Sequence, residues 1–337
     1  MSATAETKAV ETKKVTIIQA INEAISEAMA ADPKVIVLGE DVADREGGGV
    51  VGVTRGLSTK YGDDRVRSTP ITEQAIMGAA IGAAIGGYKV VAEIMLMNFT
   101  TVAMDMIVNH AAKLRFMSGG QTGVPIVIRM MTGAGISSGG QHSDFLEAWF
   151  AHTPGLKVVL PSNPEDAKGL MLSAIADPDP VMFVECTRAY FTPTEMPVHV
   201  APIPLGKAKV TQQGTDVTII SYSEIFLRAT AAAAELAKDG ISVELIDLRT
   251  ISPWDRETVI ASVKKTGRAV IAHEAVKQFG VGAEIAATLQ DELFGQLKAP
   301  IKRLGAPFTS VPFSGVLEQA FIVSVADIVA AARATLA

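Results

Sequence analysis

Three places in this 337-residue chain put reactive side chains where local structure could give them a task. The first is Glu73, at the end of Ser68-Thr-Pro-Ile-Thr-Glu73 and the start of the small-residue segment Gly78-Ala-Ala-Ile-Gly82-Ala-Ala-Ile-Gly86. Glycines four apart share one helical face, and such a face lets another backbone approach, from this chain or a partner. The helix dipole alone would favour a carboxylate at that position. An acid shielded beside a glycine-packed contact would instead have a raised pKa and could donate a proton. Both readings stay open on spacing alone. The second place is the glycine-rich loop Gly133-Ala-Gly-Ile-Ser-Ser-Gly-Gly-Gln-His142, mobile or tightly turned and closed by one titratable side chain. A solvated surface histidine fits that composition equally well. The third is Asp177-Pro-Asp179 after an expected helix at 164–176. Two carboxylates at a helix C-terminus oppose the dipole, so a bound cation would relieve them, although a plain Asp-Pro turn fits nearly as well.

Other chemistry is poorly supported. Gly133-Ala-Gly135 and Gly280-Val-Gly282 open like dinucleotide fingerprints but lack the third glycine, and there is no Walker A sequence. The five histidines have no zinc-ligand spacing to one another or to Cys186. His142, Ser143 and Asp144 are chain neighbours, which rarely converge as a triad does.

The elements that must position these residues follow from composition and period. Hydrophobic residues make up 48% and charged residues 20%, which indicates a globular chain long enough for two domains. Lys plus Arg is 30 against 36 Asp plus Glu, a net charge of −6 without a basic cluster, so nucleic acid is not an expected partner. A single cysteine excludes a disulfide framework and fits a reducing compartment. Mean hydropathy is +0.30, yet the longest uncharged apolar stretch identified, Gln74 to Tyr88, falls short of the roughly 20 residues of a membrane span. The first fifteen residues carry Glu and Lys instead of an apolar signal core. The expectation is a soluble, cytoplasmic protein with a large interface to another chain.

Residues 1–12 read as a disordered lead-in. Thr16 and Gln19 have capping-box spacing, and Ile18, Ile21, Ile25 and Ala28 then recur on one helical face. Val35-Ile-Val-Leu38 has the pattern of a strand buried on both sides. Helices are expected near 73–87, 99–115 and 164–176, the last opened by Ser162-Asn163-Pro164, with strands at 89–95, 125–130 and 181–185. Residues 186–206 break this rhythm with four prolines. Strands at 216–221, 242–247 and 269–273 then alternate with helices near 224–238, 255–265 and 281–296. The reading is two doubly wound α/β domains with parallel sheets, 13–190 and 207–337, joined by a linker at 191–206.

Taken together, the segments resemble the β subunit of the thiamine-diphosphate-dependent E1 component of 2-oxo acid and acetoin dehydrogenase complexes. The resemblance rests on Leu38-Gly-Glu-Asp-Val42, Thr69-Pro-Ile-Thr-Glu73, Ala112-Lys-Leu-Arg-Phe-Met-Ser-Gly-Gly120 and Gln141-His-Ser143. Pro154-Gly-Leu-Lys-Val-Val159, Pro161-Ser-Asn-Pro-Glu-Asp-Ala-Lys-Gly169, Asp247-Leu-Arg-Thr-Ile251 and Gln278-Phe-Gly-Val-Gly-Ala-Glu284 complete it. It implies a pyrimidine-binding domain followed by a transketolase C-terminal-like domain. It also implies an α₂β₂ heterotetramer whose α subunit supplies the diphosphate-binding Gly-Asp-Gly motif and its Mg²⁺; no Gly-Asp-Gly occurs here. A lipoyl-bearing E2 component would receive the acyl unit.

By position, the resemblance makes Glu73 the acid that hydrogen-bonds N1′ of the aminopyrimidine, favouring its imino tautomer. Phe99 would lie against the pyrimidine ring and Ile71 would line the same pocket. His142 would be the active-site histidine that steadies the intermediate or meets the lipoyl group. A potassium site would draw on the carbonyls of Ile126, Ala174 and Ile175 with Asp177 and Asp179. Leu96 and Met97 stand where many pyruvate-specific relatives have aromatic residues, and Glu46-Gly-Gly-Gly-Val-Val-Gly52 looks like the loop of acetoin-type subunits. The substrates implied are pyruvate, branched-chain 2-oxo acids, acetoin and related diketones, with acetoin or pyruvate favoured. The alternatives are a split transketolase, which would pass a carbon fragment to an aldose, and a non-catalytic scaffold that binds an α-like partner. Retention of Glu73, Phe99 and His142 argues against the scaffold.

Overall fold

The computed structural model describes residues 11–337, so most of the expected lead-in lies outside the described residues. Its last residue does not belong to a lead-in. Thr12–Val15 is a strand that pairs antiparallel with Thr194–Pro197, in the segment expected to be linker. The first helix, Ile17–Ala31, begins with the expected capping box: Gln19 N–H donates to Thr16 Oγ1 at 3.3 Å, and Thr16 N–H donates to Gln19 Oε1 at 2.9 Å. Its buried face is Ile17, Ala20, Ile21, Ala24, Ile25 and Met29, turned by about one residue from the face expected around Ile18 and Ala28.

Two twisted sheets carry the molecule, and the fold is α/β. The larger has seven strands in the order Thr250–Ser252, Lys157–Val159, Val181–Cys186, Ile126–Thr132, Lys89–Leu96, Val35–Glu40 and Val66–Thr69. All neighbours run parallel except Thr250–Ser252, an antiparallel edge that reaches over from the C-terminal half of the chain. The smaller sheet is ordered Lys302–Ala306, Ala269–Val276, Val217–Ser221, Val243–Asp247 and Lys209–Gln212, with only the last strand antiparallel. Helices cover both faces, so the central strands bury almost every residue; Val181–Cys186 is buried throughout. Each fully buried Val, Ile or Leu contributes roughly 1.5–3 kcal/mol, which favours this two-sided cover.

The helix expected at 99–115 is broken into three. A 3₁₀ turn spans Met97–Thr101, a π-helical turn Met106–Ala111 and a short α-helix Leu114–Met117. Local chemistry explains the first break: Thr100 Oγ1 donates to Met97 O at 2.6 Å and Thr101 Oγ1 to Asn98 O at 2.8 Å, bonds that compete with the α ladder. The helix Pro164–Ala176 matches its expected span, with Asn163 Oδ1 accepting from Asp166 N–H at 2.9 Å. Near the C-terminus, Gly315–Leu336 is long and apolar enough to pass as a span, but it forms two helices, Gly315–Phe321 and Val325–Leu336. Ser324 caps the second, which packs on the helix Ser223–Lys238.

A buried polar bond ties the two sheets together. Tyr222 Oη donates to Glu147 Oε1 at 2.7 Å, while Glu147 Oε2 has no partner among the described residues and the residue is fully buried. Burial pushes the Glu147 carboxyl up from 4.5 to about 7, against the hydrogen bond from Tyr222. Because the folded pKa exceeds the unfolded one, the folded chain holds an extra proton across that window. The contribution of this group is therefore full below about pH 4.5 and is lost as pH rises through about 7. Glu147→Gln should flatten the fall in thermal midpoint between pH 5 and pH 8 relative to the parent, on the order of a few kcal/mol at most. Parallel midpoint–pH curves for the two proteins would show that folding does not raise the Glu147 pKa.

Candidate active site

Four adjacent parallel strands end on the same side of the larger sheet, and the loops that leave them carry the residues expected to act. Such carboxyl ends are where open α/β sheets hold ligands. Val66–Thr69 leads through Pro70, Ile71 and Thr72 to Glu73, the first residue of the helix Glu73–Ile85. Lys89–Leu96 runs directly into the 3₁₀ turn that carries Asn98 and Phe99. Ile126–Thr132 is followed by the glycine loop and His142. Val35–Glu40 ends on Glu40 itself.

Ile71 is 80% exposed and Glu73 is half-buried. Glu40, buried at its strand end, has its carboxyl pushed up by burial first and then by the charges of Glu73, Asp41 and Glu93. Every charge named in that shift is an acid, so this corner is electronegative and suits a group that can share a proton. Sequence reasoning gave Glu40 no role; its place as the last residue of a buried apolar run was the available signal. Phe99 and His142 meet edge to face, with ring centroids 5.4 Å apart and planes at 78°. Glu73, Ile71, Phe99 and His142 therefore all stand on loops at one end of the sheet. Leu96 and Met97 are buried, and the Met97 sulfur accepts from Leu146 N–H at 3.3 Å.

The His142 loop is pinned along its length. Ala134 N–H donates to Glu274 Oε1 at 2.9 Å, and Ser137 N–H donates to Glu318 Oε2 at 3.0 Å. Gly139 has φ of +73° and packs so closely on Phe313 that a Cβ there would overlap the ring. Glu274, Phe313 and Glu318 belong to the C-terminal half of the chain, which no local signal around residue 137 could reveal. On the helix Glu73–Ile85, the glycine face is open: a Cβ at Gly82 would meet nothing within 4 Å, and one at Gly78 only Met106 Sδ at 3.7 Å. No close backbone contact from the described residues fills it.

The acidic turn differs from its expectation. Lys157 Nζ lies 2.6 and 2.7 Å from the two Asp177 oxygens, and Arg115 pairs with Asp179. The chain thus supplies two cations to the carboxylates that the spacing left unrelieved. Ile126, Ala174 and Ile175 stand nearby, at the amino end of the strand Ile126–Thr132 and the close of the helix Pro164–Ala176, remote from Glu73.

Residues 13–192 match the transketolase pyrimidine binding domain and residues 206–328 the transketolase C-terminal domain. The β subunit of acetoin:2,6-dichlorophenolindophenol oxidoreductase from Cupriavidus necator is 47% identical, over 96% of this chain and 98% of its own. The chain belongs to the E1 β-subunit family of acetoin and pyruvate dehydrogenases. Pyruvate dehydrogenase E1 β subunits from rice (the mitochondrial subunit beta-1) and Staphylococcus epidermidis are each 44% identical, covering 98% and 96% of the chain and 89% and 99% of their own lengths. A solved structure titled a split gene transketolase, inactive β4 tetramer, superposes with a TM-score of 0.78, covering 96% of this chain and 99% of its own, at 21% identity. That likeness concerns the fold. The family is one of oxidoreductase subunits that depend on thiamine diphosphate, and the pyrimidine-binding domain is where Glu73, Phe99 and His142 all lie.

Proposed function

We propose that this chain is the β half of an E1 enzyme that cleaves acetoin or pyruvate and passes the acyl unit to the lipoyl group of an E2 component. The observation that carries this reading is the grouping of Glu73, Phe99 and His142 at the carboxyl ends of adjacent strands, in a chain without the diphosphate motif. Thiamine diphosphate, when bound, supplies a carbon nucleophile and an electron sink for cleavage beside a carbonyl. The residues here fit its aminopyrimidine end: Glu73 would hold a proton at N1′, Phe99 would flank the ring, and Ile71 would line the pocket. His142, at the edge of Phe99, would face the substrate or the incoming lipoyl group. The diphosphate and Mg²⁺ would be held by an α subunit in an α₂β₂ assembly. One buried free cysteine suits a reducing, cytoplasmic setting.

Glu73→Gln keeps shape and one hydrogen bond but cannot pass a proton. In the assembled enzyme we expect cofactor binding near the parent level, with C2–H/D exchange of bound thiamine diphosphate and dye-coupled turnover slowed about 10²–10⁴-fold. Parental exchange in Glu73→Gln would return Glu73 to a helix-start carboxylate favoured only by the dipole.

The open glycine face of Glu73–Ile85 is the proposed contact with another subunit. Gly82→Leu should leave the isolated chain folded, since nothing among the described residues lies within 4 Å of a Cβ there, yet it should prevent or weaken assembly, with overpacking costing roughly 1–3 kcal/mol. Sedimentation of the variant mixed with the α chain reports this, and an unchanged heterotetramer would remove the helix from the interface.

A potassium ion at Ile126, Ala174, Ile175, Asp177 and Asp179 is proposed from the resemblance. With Lys157 and Arg115 already on the carboxylates, main-chain oxygens would have to carry most of its binding. The thermal midpoint should rise with potassium over an equal concentration of tetramethylammonium, because binding to the folded state alone stabilises it. Equal midpoints would end the claim.

A further inference from the structure

His142 is exposed and meets Phe99 edge to face, so the surrounding core does not fix where the ring stands. Its position must come from the backbone on either side. One side chain, Asn98, holds that backbone on both sides of the histidine. Asn98 Nδ2 donates to Gly140 O at 3.1 Å and to Asp144 Oδ2 at 2.9 Å, while Asp144 N–H donates back to Asn98 Oδ1 at 3.2 Å. Gly140 and Asp144 lie two residues before and two residues after His142. Asn98 is also the neighbour of Phe99 on the same 3₁₀ turn, so one amide ties the histidine's segment to the aromatic that it faces.

The chemistry of the amide suits this task. It offers two donors and an acceptor in one plane, and three of its four hydrogen-bond sites are used. An aliphatic residue would leave the Asp144 carboxylate without this donor in a half-buried position, where burial raises its pKa and the hydrogen bond from Asn98 lowers it. Thr132 Oγ1 donates to Asp144 O at 2.7 Å, so the far shoulder is also tied to the end of the strand Ile126–Thr132. The Asn98 bonds span both shoulders.

We propose that Asn98 is a positioning residue of the active site, acting through His142 by clamping Gly140 and Asp144 so that the imidazole stands against Phe99. This rests on the reading of His142 as a site residue, and the test separates the two. Turnover of the assembled, thiamine-diphosphate-loaded enzyme is measured for Asn98→Ala, His142→Ala, the double variant, and the exchange Asn98→Asp with Asp144→Asn. Asn98→Ala should lower kcat at least tenfold. In the His142→Ala background the same change should cost less than twofold, because a residue that acts through another has nothing left to act on. The exchange reverses the side-chain donor and acceptor between 98 and 144 and keeps the bond from the residue 144 backbone but leaves Gly140 O without its donor, so it should recover part of the turnover that Asn98→Asp alone loses. If Asn98→Ala does not assemble, Asp144→Ala removes the other side of the clamp and should give the same non-additive pattern. An Asn98→Ala cost that multiplies fully with that of His142→Ala, or parental kcat in Asn98→Ala, overturns the positioning role while leaving His142 in the site. Parental turnover in His142→Ala overturns the reading of His142 and the proposal with it.

Discussion

Arg129 lies across the middle of the larger sheet, fully buried, with a carboxylate on each side. Its Nε and Nη2 donate to the two oxygens of Glu185 at 2.9 and 2.7 Å, and Nη1 pairs with Glu93. These acids sit on the strands Val181–Cys186 and Lys89–Leu96 that flank its own. Three charges out of water are stable only in mutual contact, since removing one partner of such a pair strands the other at a cost of roughly 3–5 kcal/mol. The register is therefore fixed: a slip of one residue would turn Arg129 to the opposite face of the sheet and separate it from both acids. Tyr190 Oη adds a bond to Glu185 at 2.6 Å and extends the network to the chain leaving the sheet. Burial raises the pKa of the Glu93 carboxyl above its usual range, with Arg129 opposing the shift and the Glu185 charge adding to it. Two of these strands lead directly into the turn of Asn98 and Phe99 and the loop of His142, and Val35–Glu40, which ends on Glu40, pairs with Lys89–Leu96.

The second tie runs between the two halves of the chain. Arg188 Nη2 reaches Glu274 and Glu224, each at 2.6 Å, and Arg188 also bonds Ala134 O at the root of the glycine loop. Glu318 holds Ser137 farther along, and Asn98 holds the segment through His142. The loop thus takes its shape from groups contributed by three separate stretches of sequence. Its glycines accommodate close contacts, as at Gly139 against Phe313, and do not make it free to move within the chain. A rigid loop suits a histidine that must meet a substrate in one orientation.

What the sequence disclosed and what it hid divide along this line. The caps at Thr16 and Asn163, the alternation of buried strands with helices, and the place of Glu73 at a helix start depend on neighbours within a few residues. Those features are legible without the fold. The break at 97–117 was missed because threonine hydroxyls at 100 and 101 outweigh the helical period, a competition that period alone does not reveal. The strand Thr194–Pro197 was hidden among prolines because its partner is the strand Thr12–Val15. Lys157 and Arg115 lie 20 and 64 residues from the aspartates they neutralise, so the turn read as bare charge. Asn98 and Glu318 carry no motif of their own, and their partners become visible only once distant loops are side by side.

The same distinction bears on why this half of the site is open. An acid that shares a proton with a bound base must be kept from water, because solvent would screen the charge and compete for the hydrogen bond. Here Ile71 is 80% exposed, Glu73 is half-buried, and the glycine face behind it meets open space at Gly82. Closure by a loop of this chain is opposed by the pinning already described, since the glycine loop is held by Glu274, Glu318 and Asn98. A surface brought by another subunit could seat against the small residues, cover Ile71 and exclude water from Glu73 in one step. Under the proposed function, assembly and activation of the acid are then the same event: the carboxyl reaches its working environment only when the partner that holds the diphosphate end also closes the pyrimidine end.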